Sequence, residues 1–213
     1  MSAGELKLSA LCAKIYNKTS EIYDEYKTRL APYDFGYKVL YGPPISHTPV
    51  LFVGDQPGGN IRDEKPNERF SWPEKCEYAT ESWALATKMQ KMFGSEFLSH
   101  CVGVNANFFR SPKAEVWRCV PKQVRDELEQ FSVAQLLNLI DAIDPRLIVA
   151  IGTATLEKLT PTEPVLYGTK NRVLAKTGKI GVRQAYSVLH LSGAHISMQD
   201  RASIADFVKD LVG

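Results

Sequence analysis

Three short segments of this 213-residue chain carry side chains suited to acid–base and hydrogen-bonding chemistry. In the first, the apolar run Val50-Leu51-Phe52-Val53 breaks into Gly54-Asp55-Gln56-Pro57-Gly58-Gly59-Asn60. Glycine lets a backbone come close to a ligand and proline stiffens the turn, so Asp55 and Gln56 are the functional side chains of its opening four positions. In the second, a run ending at Leu189 leads into His190-Leu191-Ser192-Gly193-Ala194-His195. A carboxylate and an imidazole are groups that place a water or move a proton. In the third, Asn105-Ala106-Asn107 follows another apolar run, and a carboxamide can both donate and accept. A turn-capping carboxylate, a satisfied structural histidine and a turn asparagine are the competing readings of the same residues. The glycine turn lacks the GK[ST] ending that cradles phosphates and the GxGxxG spacing of a dinucleotide fold.

These segments need elements to bring them together. Residues 50–53, 102–105, 147–151 and 186–189 are short, nearly continuous apolar runs, the pattern of parallel strands buried on both faces. Between them lie helical patterns. The spacing predicts helices over 5–30, with Leu8, Leu11, Ile15, Ile22 and Tyr26 on one face and Pro32 as the stop, and over 81–93, 123–143, 154–159 and 199–211. Ser197 and Asp200 resemble a capping box at the start of the last. Strand alternating with helix predicts an α/β fold: a three-layer sandwich around a central four-stranded parallel sheet. Ligands bind beyond the carboxyl ends of such strands, so the turn at 54–58, Asn105, Gly152-Thr153 and the His190 segment should share one edge. The tyrosine-rich segment 33–41 reads as an ordered loop of no assigned purpose.

With 44% hydrophobic and 23% charged residues, a chain of this length can bury one ample core, and residues 1–213 are read as a single domain. No run approaches 18 apolar residues and the N-terminus does not read as a leader, so the expected setting is cytoplasmic and away from membranes. A net charge of +2 is too balanced to identify a nucleic-acid partner, although a local basic face would still serve one. Cys12, Cys76, Cys101 and Cys119 form no CxxC pair and read as buried free thiols, so no metal and no cofactor is expected.

The turn Gly54-Asp55-Gln56-Pro57-Gly58 resembles motif A of the uracil-DNA glycosylase superfamily, in which the first strand ends in Gly-x-x-Pro. Asn105 is similar to the asparagine that reads the base's pairing edge in that family, and the stretch through Arg110 and Pro112 to its continuation. Phe70, in Glu68-Arg69-Phe70-Ser71-Trp72, lies 16 residues after Gly54, close to the spacing of the base-stacking phenylalanine, with Trp72 as the competing stacker. His190-Leu191-Ser192 resembles motif B, commonly His-Pro-Ser, with Leu191 in place of proline. Gln56 stands where the best-known branch has its acid. The acid here is one place earlier, as in the Gly-Glu-Ala-Pro-Gly and Gly-Glu-Gln-Pro-Gly branches, shortened by one methylene to Asp55. The cysteines lack the close pair of the branch that carries an iron–sulfur cluster, and the stretch after Asn105 lacks the histidine of the branch that traps DNA covalently.

The resemblance implies a uracil-DNA glycosylase-like fold and a base-excision activity: hydrolysis of the N-glycosidic bond of uracil, or of another deaminated or damaged base, after the nucleotide is flipped out of the duplex. Asp55 and Gln56 would place the attacking water, and His190 would donate toward the departing base or a phosphate. Asn105 and Phe70 would hold the base against a pocket shaped by Gly54, Pro57 and Gly58. The segment Leu191 to Ile196, including Ser192 and Gly193, would enter the duplex, with Leu191 as the wedge and Gly193 as the flexible point. Phosphate contacts would come from Arg110 and Lys113, joined by Arg62, Lys65 and the helix start near Ser197. The implied partner is DNA carrying a modified base, bound by a monomer. Because neither motif is intact, two other readings stand beside this one: a non-catalytic nucleic-acid- or nucleotide-binding relative, and a small-molecule hydrolase using Asp55 and His190 as acid and base.

Overall fold

The computed structural model describes residues 3–60, 62, 71–191 and 196–213. Four parallel strands form where apolar runs predicted them: β1 (Val50–Gly54), β2 (Val102–Asn105), β3 (Leu147–Ile151) and, after two further strands, β6 (Arg183–Val188). Every residue of β1, β2 and β3 is buried, which is why their sequences show no polar face. Alternate side chains enter opposite cores. Leu51 and Val53 join Ile148 and Ala150 in one, while Val50 and Phe52 join Val149 and Ile151 in the other.

The sheet has six strands and is mixed, which corrects the expected four-stranded parallel sheet. β4 (Glu163–Tyr167) and β5 (Val173–Ile180) extend it in the order β2-β1-β3-β6-β5-β4, with β5 antiparallel to both of its neighbours. A two-residue connection, Gly181-Val182, turns β5 into β6, and Gly181 takes the positive φ of +60° that such tight hairpins need. Their apolar runs, Val165-Leu166-Tyr167 and Val173-Leu174-Ala175, are only three residues long. β4 is a largely exposed edge strand, and β5 carries Lys176, Thr177 and Lys179 among its apolar residues.

Helices flank both faces. The long α1 (Ala3–Leu30) and α6 (Lys122–Ile143) share one core, joined by Trp117 of α5 (Ala114–Cys119) and Leu156 of α7 (Thr153–Glu157). The other core takes Tyr78 of α2 (Glu77–Thr80), Met89 and Phe93 of α3 (Ala84–Phe93), Leu98 of α4 (Ser95–Ser99), and Ile204 and Val208 of α8 (Met198–Val212). The helix expected over 81–93 is shorter, since residues 81–83 are not helical and α3 begins at Ala84, while α2 lies before the expected range. At α8 the Ser197 hydroxyl accepts the Asp200 N–H at 3.0 Å, the cap that the sequence announced.

The tyrosine-rich loop acquires a task. Tyr37 bridges Phe109, Leu40 bridges Val104, and Tyr41 N–H donates to Gly103 O at 2.9 Å, so the segment covers the outer edge of β2. Cys12, Cys76 and Cys101 are free and buried, and burial pushes the Cys12 and Cys101 thiols up to about 12; Cys119 is free but exposed. Among the described residues no helix is long and apolar enough to cross a membrane.

Candidate active site

The glycine turn is not a free loop. Its backbone is zipped to the segment after β2: Ala106 N–H donates to Gly54 O at 2.8 Å, Asn107 N–H to Asp55 O at 2.9 Å, and Ser111 N–H to Pro57 O at 3.0 Å. Side chains close the same seam. Gln56 Nε2 donates to Phe109 O at 2.9 Å, and Arg110 Nη1 donates to Gly58 O at 2.5 Å. Gly54 has a specific reason to lack a side chain, since a Cβ there would lie 2.2 Å from Asn105 Oδ1. What presses on this glycine is the neighbouring strand's carboxamide. Gly58, by contrast, faces open space.

Beyond the carboxyl ends of the parallel strands lies a cleft of about 710 Å³. It is lined by Gly54, Asp55, Gln56 and Gly58 from the turn after β1, by Asn105 from β2, by residues 152–155 at the end of β3, and by His190 just past β6. The four clusters expected at one edge therefore meet there. Tyr41, Tyr78 and Trp83 supply an aromatic wall. Tyr41 stacks on Tyr78 with centroids 5.2 Å apart and planes 14° from parallel, and Trp83 meets Tyr78 edge-on at 5.5 Å.

Asp55 and His190 sit in different surroundings. Asp55 Oδ1 pairs with Lys158 Nζ at 2.5 Å, with 38% and 55% of the two side chains exposed. Water screens such a pair to about 0–1 kcal/mol, so it sets where the carboxylate rests more than it stabilises the fold. His190 opens to the cleft on one side and is crowded by protein on the other; a Cβ on Gly152 would come within 3.5 Å of its Cδ2. That loss of solvation holds the imidazole below its ordinary value, with Asp55 pulling the other way and Lys88 reinforcing it. The neutral ring is favoured.

Sequence reasoning missed what stands behind Asn105, which is 2% exposed. Its Nδ2 donates to Tyr41 Oη at 2.9 Å. Lys38 Nζ lies 5.1 Å from the centre of the Tyr41 ring and pairs with Glu77 Oε1 at 2.6 Å, with only 8% and 13% of these two side chains exposed. No periodicity in the segment 33–41 marks Lys38 or Tyr41; only their pairing beside β2 brings them here. Lys158 was likewise hidden, one residue past α7.

Several expected residues lie elsewhere. Leu191, expected as a wedge at a DNA surface, is 2% exposed and packed in the core shared with Ile204 and Val208. Arg110, expected on phosphates, is 7% exposed and ties down the glycine turn. Trp72 packs edge-on against Tyr16 at 6.0 Å beside the other core. Lys113 does line the cleft and is exposed, Arg62 is exposed, and the Ser197 hydroxyl is engaged by its own helix. Phe70, Lys65, Ser192, Gly193 and His195 lie outside the described residues. No family model matches the chain, and comparison with curated proteins finds no significant relative.

Proposed function

We propose that this protein is a DNA glycosylase with a uracil-DNA glycosylase-like fold, cleaving the N-glycosidic bond of uracil or another deaminated base in DNA. One observation carries the reading: Asp55, Gln56, Asn105 and His190, from the ends of three strands, face a single cleft beside an aromatic wall. In the reaction, water adds to the sugar C1′ as the C1′–N bond breaks, and the bonding pair leaves with the base. Asp55 accepts a proton from that water, and the Gln56 carbonyl helps hold it, the amide's other end being fixed on Phe109 O. Negative charge develops on the base oxygen, where His190, kept neutral by crowding, donates an N–H without having to lose a positive charge afterwards. Asn105 presents both donor and acceptor to a pairing edge.

The test is incubation with end-labelled oligonucleotides bearing one uracil, hypoxanthine or xanthine, single- and double-stranded, followed by alkali. Wild type should cleave at the modified base, and Asp55→Ala and His190→Ala should each slow single-turnover excision by about 10²–10³-fold. Cleavage that survives in both variants would remove the site from this cleft. A second reading, a binding-only relative, is favoured by the Lys158 ammonium already held on Asp55. Salt-sensitive DNA binding without cleavage at any base would select it, and absence of both would leave the small-molecule hydrolase.

A further inference from the structure

We infer that Tyr41 is a specificity-determining residue: its hydroxyl hydrogen and the second N–H of Asn105 form a two-donor clamp on one exocyclic carbonyl oxygen of a planar ring. A ring bearing an amino group at that place is rejected. The inference deepens the glycosylase reading, and rests on it for the nature of the ring.

Hydrogen counting leads to the clamp. Asn105 Nδ2 has two hydrogens and gives one to Tyr41 Oη at 2.9 Å. By accepting, the Tyr41 oxygen must direct its own hydrogen elsewhere, and no acceptor for it occurs among the described residues. The second Nδ2 hydrogen has none there either. Both residues line the cleft, with Asn105 2% and Tyr41 9% exposed, so the two unspent donors belong to adjoining, nearly buried groups of its wall. Burial raises the Tyr41 phenol above its ordinary value, so the hydroxyl keeps its proton at any physiological pH.

Neither donor is at liberty to turn away. The Tyr41 ring is stacked on Tyr78, its backbone N–H donates to Gly103 O at 2.9 Å, and the preceding Leu40 N–H donates to the Tyr16 hydroxyl at 3.1 Å. Asn105 Oδ1 rests over Gly54, the one residue type that leaves it room. A carbonyl oxygen has two lone pairs and satisfies both donors at once. An exocyclic amine offers hydrogens to hydrogens and leaves two nearly buried donors unpaired, which is how a polar site discriminates strongly.

Tyr41→Phe removes the hydroxyl and keeps the ring and its stack. Titration of free uracil and free cytosine, read by saturation-transfer NMR, is paired with single-turnover excision from a uracil oligonucleotide. Wild type should prefer uracil. Tyr41→Phe should weaken uracil binding by about tenfold, leave cytosine within about twofold, and slow excision of bound substrate. Tyr26→Phe, which removes a hydroxyl bonded to Glu127 between α1 and α6, away from the cleft lining, controls for loss of a tyrosine hydroxyl and should keep the wild-type preference. An unchanged preference in Tyr41→Phe overturns the inference, as does a preference lost equally in Tyr26→Phe. Wild type that excises nothing, yet prefers uracil through Tyr41, would defeat the glycosylase reading and leave the clamp standing. Wild type that neither excises nor binds either base overturns both.

Discussion

Asp55 meets the cleft with one carboxylate oxygen on Lys158, so a substrate that uses Asp55 must share or displace that ammonium. His190 differs in kind, because its state is set by crowding more than by a partner. Partial loss of solvation favours the neutral imidazole of this exposed residue, so the folded value lies below the ordinary one of about 6.5. The sign follows. Above about 6.5 the ring is neutral folded or unfolded; as pH falls the unfolded chain takes up the proton first, and stability drains away through the folded value. Activity that needs the neutral donor should be full at pH 7, with the acid limb of kcat/KM below 6.5. A pH–rate profile checks this, and an acid limb above 6.5 that His190→Gln abolishes would show that burial does not govern the ring. At this scale the sequence was informative about residue types and poor about partners. Asp55, Asn105 and His190 stand out as polar residues ending apolar runs, whereas nothing in composition ties Lys158 to Asp55 or Tyr41 to Asn105.

At the scale of elements, the cleft depends on how β2 is bordered. The strap at 37–41 covers its outer edge, and the Lys38–Glu77 pair binds that strap to the start of α2. Both charges are nearly buried, so removing one takes from the other a close opposite charge in a poorly solvated place. Lys38→Met or Glu77→Gln alone should cost about 3–5 kcal/mol, and the double replacement much less than their sum. A urea-denaturation double-mutant cycle measures it, and single costs below about 1 kcal/mol would mean that water reaches the pair in solution. β1, β2 and β3 were legible because a strand buried on both faces must be almost wholly apolar, and β6 through the short apolar run at its end. β4 and β5 were not, since an edge hairpin mixes exposed and buried positions and its register comes from β6.

At the scale of the whole molecule, α1 is a load on one side of the sheet that the site still feels. Leu8, Ile15, Tyr16, Tyr23 and Leu30 are all buried on it, and Tyr16 reaches Leu40, next to Tyr41. Each such burial contributes about 1.5–3 kcal/mol, against a net stability of about 5–15 kcal/mol for a domain. A chain lacking residues 1–32 is therefore expected to be aggregated or unfolded by size exclusion and circular dichroism. A soluble truncation with a cooperative melt would make α1 an accessory. The sequence by itself determined the α/β class, the four parallel strands, the long helices and the Ser197 cap, because periodicity and capping are local consequences of which side chains water rejects. Only the tertiary structure decided that Leu191 is core, that Arg110 clasps the glycine turn, and that Tyr41 backs Asn105. These depend on contacts between residues 52 and 64 positions apart, or on a helix that returns to cover the chain, and a linear pattern carries no record of such meetings.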